Sequence, residues 1–260
     1  MAAQATVRVR QRIRLSKDRV LRAALQIADT SGVESLTMRK LAQRLGVEAM
    51  TLYYYLTNKD DILDGILDLV VGEIERPPED GDWKVALRTS AISAHQVLLR
   101  HPWAGNLMTS PARIRPARLG YMESLLGRLR QAGFSAEMTH HAYHALDSHI
   151  IGFTMWEVGY STGIRALPDS GAQLRQELAL DEYPYLVEHM EQHVKASDRK
   201  DNGGGEFEFG LGLILDGLKK FRKPEVSSPG DHHVHAPTTR RALPARTGRP
   251  RAMRQRRPSC

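Results

Sequence analysis

The sequence predicts an all-α protein in two parts: a small N-terminal three-helix unit built around a helix-turn-helix, joined by a long helix to a larger helical domain. Three observations carry this. Nearly every apolar segment repeats at the 3.6-residue period of a helix. No alternating apolar–polar run is long enough to argue for a strand. Ser, Thr or Asn stands where the N-terminal helices should start, and Gly or Pro where several should stop.

The first helix is predicted to start at a Ser16 N-cap. It runs through Val20, Leu21, Ala24, Leu25 and Ala28 and stops at Gly32. Thr37 caps a short second helix carrying Leu41 and Leu45 and closed by Gly46. A third short helix is expected from about Glu48 to Tyr55. Asn58 then caps a long helix with Ile62, Leu63, Ile66, Leu67, Val70 and Ile74 on its buried side, ended by Pro77-Pro78 and EDGD. Further helices are read at about 82–100, 111–131, 135–161, 171–196 (broken near Pro184) and 206–222, with 197–206 a flexible loop. The predicted organisation is a basic flexible arm over 1–15, the helix-turn-helix unit over 16–64, the larger helical domain over 65–222 and a disordered, Arg-rich tail over 223–260. The tail has too few large apolar residues to offset its chain entropy.

With 260 residues and 41% hydrophobic content, the chain can bury one sizeable core, or one core and a small satellite. No apolar run reaches the roughly 18 residues that span a bilayer. No apolar segment follows the basic N-terminus MAAQATVRVRQRIR, as a signal peptide requires. The single cysteine, Cys260, excludes an internal disulfide. These features predict a cytoplasmic protein without a membrane partner. The net charge of +7 divides unevenly: residues 1–22 carry +6, residues 224–260 carry +6, and the body between them is acidic. Two basic ends on an acidic body fit either arms for a polyanion or simple solubilising tails.

Residues 37–56 have the layout of a helix-turn-helix: a short helix, a glycine turn and a second short helix. Leu41, Ala42, Leu45, Val47 and Leu52 fall where apolar contacts would fix the angle between the helices. With those used inward, Glu48, Ala49, Met50, Thr51, Tyr53 and Tyr54 are left facing out, on a rod that fits a major groove about 12 Å wide. The run Tyr53-Tyr54-Tyr55 cannot all point one way: one ring can pack inward while the others reach phosphate and sugar, with Lys59 adding charge a turn later. The alternative is that all three rings cap the small core.

The stretch LTMRKLAQRLGVEAMTLYYYLTNKDDILD resembles the DNA-binding domain of TetR family transcriptional regulators, specifically the tetracycline repressor branch. The resemblance rests on Arg39-Lys40-Leu41-Ala42, Leu45-Gly46-Val47, Leu52-Tyr53 and Asn58-Lys59. It continues weakly through Trp83, Gly133-Phe134-Ser135 and Phe153-Thr154, and sharpens again at FEFGLGLILDGLKK, residues 207–220. It implies an N-terminal DNA-binding domain, a C-terminal domain for ligand binding and dimerisation, and no enzymatic activity. It also implies a regulator, most often a repressor, that binds a palindromic operator as a homodimer and is released by a small molecule. The operator-facing positions implied are Met38, Arg39, Ala49, Met50, Thr51, Tyr53, Tyr54, Tyr55 and Lys59, with Thr37, Lys40 and Glu48 beside them on the same short helices. Arg39 can pair bidentately with a guanine edge, and Thr51 can reach a phosphate or a thymine methyl. Ala49 stands where the family often carries a longer polar side chain and Tyr55 where it often has histidine, so the operator is not transferable from a relative.

On the last helix, Phe207, Leu211, Ile214, Leu218 and Phe221 form an apolar stripe beside Gly210, Gly212 and Gly217. The family implies a dimer interface there, together with the helix at 135–161; alternatively the stripe seals its own domain. Ser90, His95, Trp103, Met108, Tyr121, Leu125, His144, Asp147, Phe153 and Trp156 are expected to line an effector cavity. Met and aromatic residues at helical spacing are equally what plain core packing uses. Magnesium-tetracycline is not the expected ligand. The family's metal-holding histidine and acidic residue correspond to Asn106 and Tyr160, and other drug contacts to Glu75, Ser90 and Leu125. An unidentified apolar or amphipathic effector is expected, with no cofactor and no metal.

His140 and His144, at i and i+4 with Asp147 a turn on, can in principle hold a transition metal, but a polar helix surface is the simpler reading. The tail histidines His232, His233 and His235 can bind metal adventitiously, and TGRPRAMRQRR at 247–257 suits a nonspecific electrostatic clamp. No phosphate loop or nucleophile elbow points to an enzyme. A ligand-independent architectural DNA binder is the remaining rival, acting through its basic ends.

Overall fold

The computed structural model describes residues 15–110, 115–165, 182–189, 192 and 204–222. The expected arm before Leu15, most of the 171–196 helix, most of the 197–206 loop and the tail from 223 lie outside those residues, although 184–189 is helical and the last helix already begins at Gly204.

Every described element is helical: α1 Lys17–Ser31, a 3-10 turn Val33–Ser35, α2 Met38–Leu45, α3 Ala49–Leu52, α4 Lys59–Gly72, α5 Trp83–Arg100, α6 Pro102–Met108, α7 Pro116–Gln131, α8 Ala136–Arg165 and α9 Gly204–Lys219. The caps explain the N-terminal boundaries. Ser16 Oγ accepts from Arg19 N (3.2 Å) and Thr37 Oγ1 from Lys40 N (3.1 Å). Asn58 Oδ1 accepts from Asp61 N (2.8 Å) while Asp61 Oδ2 accepts from Thr57 N (3.0 Å), a reciprocal pair that fixes where α4 starts. Gly46 ends α2 in the left-handed conformation, φ 67°.

The boundary at Pro102 was the least legible. Residues after Arg100 were not expected to be helical, yet α6 begins at once, because proline at the first helical position gives up only a donor that has no partner there. His101 turns the corner between α5 and α6 and is buried with the junction. Its Nδ1 donates to Asp29 of α1 (2.7 Å), whose same carboxylate oxygen accepts from Trp103 Nε1 (2.8 Å). Glu73 faces His101 Nε2 at 3.4 Å and accepts from Arg100 (2.9 Å). The end of α5 and the start of α6 are thereby tied to α1 and to the end of α4.

One apolar core runs through both parts of the chain. Val20, Ala24 and Ile27 of α1 share one core with Leu41, Leu52 and Leu56 and with the buried side of α4, which continues through Val70, and Ile74 just past its end, towards α5, α6 and α7. Helix α4 therefore belongs to both parts. Arg115 donates to its Asp64, and Asp68 Oδ1 accepts from Ala117 N (2.8 Å), fastening the start of α7 to it.

Where α5, α8 and α9 meet, His95 is 3% exposed, with its ring stacked on Phe207 (centroids 4.0 Å apart, 7° between planes). Thr154 Oγ1 donates its one proton to Ile150 O (2.6 Å), so it can only accept from His95 Nδ1 (2.8 Å). Nε2 then carries a lone pair, 3.2 Å from Glu157 Oε2 but outside hydrogen-bond geometry. Burial, reinforced by His149, lowers the His95 pKa to about 4, and burial together with Glu206 raises that of Glu157.

Two outcomes follow from this packing. Thr37→Ala and Gly46→Ala should each lower stability by about 1 kcal/mol, through loss of a cap and through backbone strain, read from the urea midpoint. His95 binds a proton less readily folded than unfolded, so its contribution is complete above pH 6.5 and disappears as pH falls towards 4. The decline in urea midpoint across that interval should be shallower in His95→Phe, which keeps the stacked ring but cannot titrate.

Candidate functional site

The short helices hold their positions only through the residues they bury. Leu41, Ala42, Leu52 and Leu56 all lie in the core, and Val47 N donates back to Ala42 O (3.1 Å) across the glycine turn. Helix α3 is shorter than the expected 48–55. After Leu52 the chain continues with i to i+3 bonds, Tyr53 N to Met50 O, Tyr54 N to Thr51 O and Tyr55 N to Leu52 O. Such tightening is usual at a helix end, where backbone groups would otherwise lack partners.

That geometry divides the tyrosines. Tyr54 is 88% exposed, Tyr53 50% and Met50 73%. Tyr55 turns inward instead, half-buried against the core, and its hydroxyl donates to Leu15 O (3.1 Å), pinning the entry to α1. One ring in and two out is the arrangement expected of the run, and it leaves Tyr55 a structural duty. Lys40 and Met38 are also partly committed: Lys40 Nζ donates to Ser35 Oγ (3.0 Å), and Met38 packs on the core. Thr37 spends its hydroxyl on the cap. Arg39, Glu48 and Lys59 are exposed, Ala49 and Thr51 partly so. The bare surface is therefore formed by Arg39, Glu48, Met50, Tyr53, Tyr54 and Lys59, with Thr51 and Ala49 between them. Sequence reasoning missed the tie of Arg44 Nη2 to Gln26 Oε1 (2.9 Å), which holds the end of α2 on α1; a Gln–Arg pair 18 residues apart gives no local pattern.

The residues expected around an effector separate into groups. Met108 and Leu125 are buried apolar side chains. Trp103 is buried too, but its indole N–H points to α1 and serves the junction described above. Ser90 Oγ donates to Glu75 O (2.7 Å). His95 lies against Phe153 (centroids 6.0 Å), and Phe153 against the exposed Trp156 (5.5 Å). Tyr121 is buried with its hydroxyl outside good hydrogen-bond geometry, and burial raises its pKa, partly offset by the neighbouring Ser90. Nearby, burial and the Asp147 carboxylate push Tyr143 up to about 12. Asp147 is itself raised by burial, partly offset by Arg118 and His144. His144 is exposed beside His140, ring centroids 4.6 Å apart. Among the described residues no three metal-ligating side chains converge.

The last helix differs from expectation. Phe207, Leu211 and Leu218 are buried against their own subunit together with Leu215, Ile214 is half-buried, and only Phe221 of the expected stripe is exposed. Gly210 serves the same internal packing: a Cβ there would lie 2.6 Å from His149, whose Nε2 donates to Phe207 O (3.0 Å). The apolar residues facing outward are instead Phe209, 71% exposed, and Leu213, 61%.

Residues 20–66 match the family described as bacterial regulatory proteins, tetR family, and residues 77–222 match the tetracyclin repressor-like C-terminal domain. The chain is 34% identical over 218 residues to the HTH-type transcriptional repressor DrrR1 of Streptomyces coeruleorubidus, covering 79% of this chain and 77% of that one. Its fold is similar to that of a possible TetR family transcriptional regulator from Streptomyces coelicolor A3(2), with TM-score 0.65, 30% identity, and 80% and 100% of the two chains covered. It is also similar to Streptomyces coelicolor ActR solved with actinorhodin, with TM-score 0.62, 27% identity and coverage of 80% and 98%. The two matched segments account for both halves of the described fold, and the chain belongs to the TetR family of ligand-responsive, DNA-binding transcriptional regulators.

Proposed function

We propose that this regulator is a cytoplasmic repressor that binds a palindromic operator as a homodimer. The bare outer face of α3 and of the turn after it carries the reading: Met50 on the helix and Tyr53 and Tyr54 just beyond it remain exposed, while Leu52 and Leu56 are buried in the core. Arg39 and Thr51 are the base-reading candidates, and Tyr53, Tyr54 and Lys59 the phosphate-positioning ones. Tyr55, Thr37, Lys40 and Met38 act chiefly by holding that surface in place.

One four-residue helix covers too little DNA for strong specific binding, so two copies about 34–36 Å apart are required to read adjacent major grooves. Helix α9 carries large exposed apolar residues outside its buried stripe, and a cluster of that kind suits a partner surface. Its inner side is filled by its own subunit, which leaves Phe209 and Leu213, with Phe221, for the partner. The interface assignment thus moves from the stripe read in the sequence to the opposite side of the same helix.

The effector is proposed to be a small apolar or amphipathic molecule held in the C-terminal domain among Met108, Leu125, Phe153 and Trp156, with His95, Tyr121 and Asp147 supplying polar contacts. ActR, solved with actinorhodin bound, supports a small-molecule effector. Magnesium-tetracycline is disfavoured because Asn106 and Tyr160 replace the metal-holding pair implied by the resemblance. Binding would favour a second packing of the core and shift α4, which both parts share. A few kcal/mol of differential affinity then suffices to release DNA.

Three variants test this after an operator has been found by selection from random duplexes. Arg39→Ala should cost about 1–3 kcal/mol on the selected site and relax preference at one base pair. Tyr54→Phe should weaken selected and unrelated duplexes alike. Leu213→Glu should give a monomer by light scattering and lose the footprint while remaining helical. Unchanged footprints for Arg39→Ala, or an intact dimer for Leu213→Glu, would count against the corresponding assignments.

A further inference from the structure

Arg128, in the last turn of α7, is 8% exposed and makes no ion pair among the described residues. Its Nη2 donates to Gly81 O in the α4–α5 connection, while its Nε is buried without an acceptor. A guanidinium stays charged at any physiological pH, and a buried charge with neither counter-ion nor full hydrogen bonding is costly to keep. It opens onto a groove of about 390 Å³ between α7 and that connection, also lined by Arg76, Glu79, Gly120, Glu123, Ser124 and Gly127.

The floor of the groove lacks side chains at two points. A Cβ at Gly127 would meet nothing within 4 Å, and one at Gly120 would strike the Arg76 guanidinium at 2.6 Å, so Arg76 lies across α7. Two guanidinium groups thus supply donors. Acceptors stand beside them: Glu79 and Glu123 are carboxylates, Ser124 Oγ has given its proton to Tyr121 O (2.7 Å), and the Gln131 amide can both donate and accept. Donors and acceptors side by side match a molecule that carries both charges. The volume lies within the usual range for small-ligand sites.

We propose that this groove binds a small zwitterion of the amino-acid type, its carboxylate on Arg128 and Arg76 and its ammonium group on Ser124, Glu123 and Glu79. The carboxylate supplies Arg128 with its missing counter-ion. The site lies on α7 and the α4–α5 connection and does not depend on the gene-control reading: it can be present whether or not the protein binds DNA.

The full chain is titrated with L-glutamine, glycine, acetate, methylammonium and inorganic phosphate against a sodium chloride control, following thermal unfolding and binding heat. The amino acids should raise the melting temperature by about 2–4 °C at saturation, with acetate and methylammonium each ineffective alone. Arg128→Met should lose the response and melt higher than the parent in its absence. Should that variant not fold, Arg76→Gln and Ser124→Ala, which change an exposed and a half-buried side chain, should weaken amino-acid binding by about tenfold. No response beyond the salt control overturns the proposal, as does an equal response to acetate or phosphate or an unchanged response in the variants.

Discussion

A helix of four residues has no stability of its own in water. Everything that α3 presents outward depends on Leu52 and Leu56 being gripped by the core formed with α1, α2 and α4. Because that grip uses the whole inner side, the outer side is both rigid and bare. An exposed methionine and two exposed tyrosines on a rigid support are poorly explained by stability, since they gain little from burial where they stand. They are well explained by a large surface that arrives later and covers them.

The same core explains how distant residues can influence that surface. Helix α4 packs on α1 and also on α5, α6 and α7 of the larger domain, and its buried Ile62, Ile66 and Val70, with Ile74 just past its end, belong to one core with no linker between. Polar ties reinforce the continuity: Asp64 and Asp68 to the start of α7, and Asp29 to His101 and Trp103 at the α5–α6 corner. A close-packed interior does not deform smoothly, so a ligand that alters packing among α5, α7 and α8 has to move α4 or leave it where it is. The two-state account of regulation rests on that property.

Much of this was legible in the sequence because caps and glycine stops act locally. Ser16, Thr37, Gly46 and Asn58 mark boundaries by hydrogen bonds and backbone conformations that involve only three or four neighbouring residues. Helix α6 was not legible, since Pro102 ends one helix and opens the next with only His101 between. Nor was the orientation of α9: large apolar residues stand outside the Phe207–Leu211–Leu218 stripe as well as on it, Phe209 and Leu213 among them, so the pattern alone does not say which side faces its own subunit, and the inner side is the stripe first assigned to the partner. Tyr55 was half legible. The run demanded that one ring turn inward, but the carbonyl of Leu15 that receives its hydroxyl lies 40 residues away and leaves no local trace.

The account is tested most directly by oxidising the protein with hydroxyl radicals, free and bound to its selected operator, and reading side-chain modification by mass spectrometry. Met50 and Tyr54 should be among the fastest-modified residues in the free protein and strongly protected in the complex, while exposed Phe209 stays at its free rate or, in a dimer, is slow in both. Equal modification of Met50 and Tyr54 with and without bound DNA would contradict the claim that a duplex covers the outer face of α3.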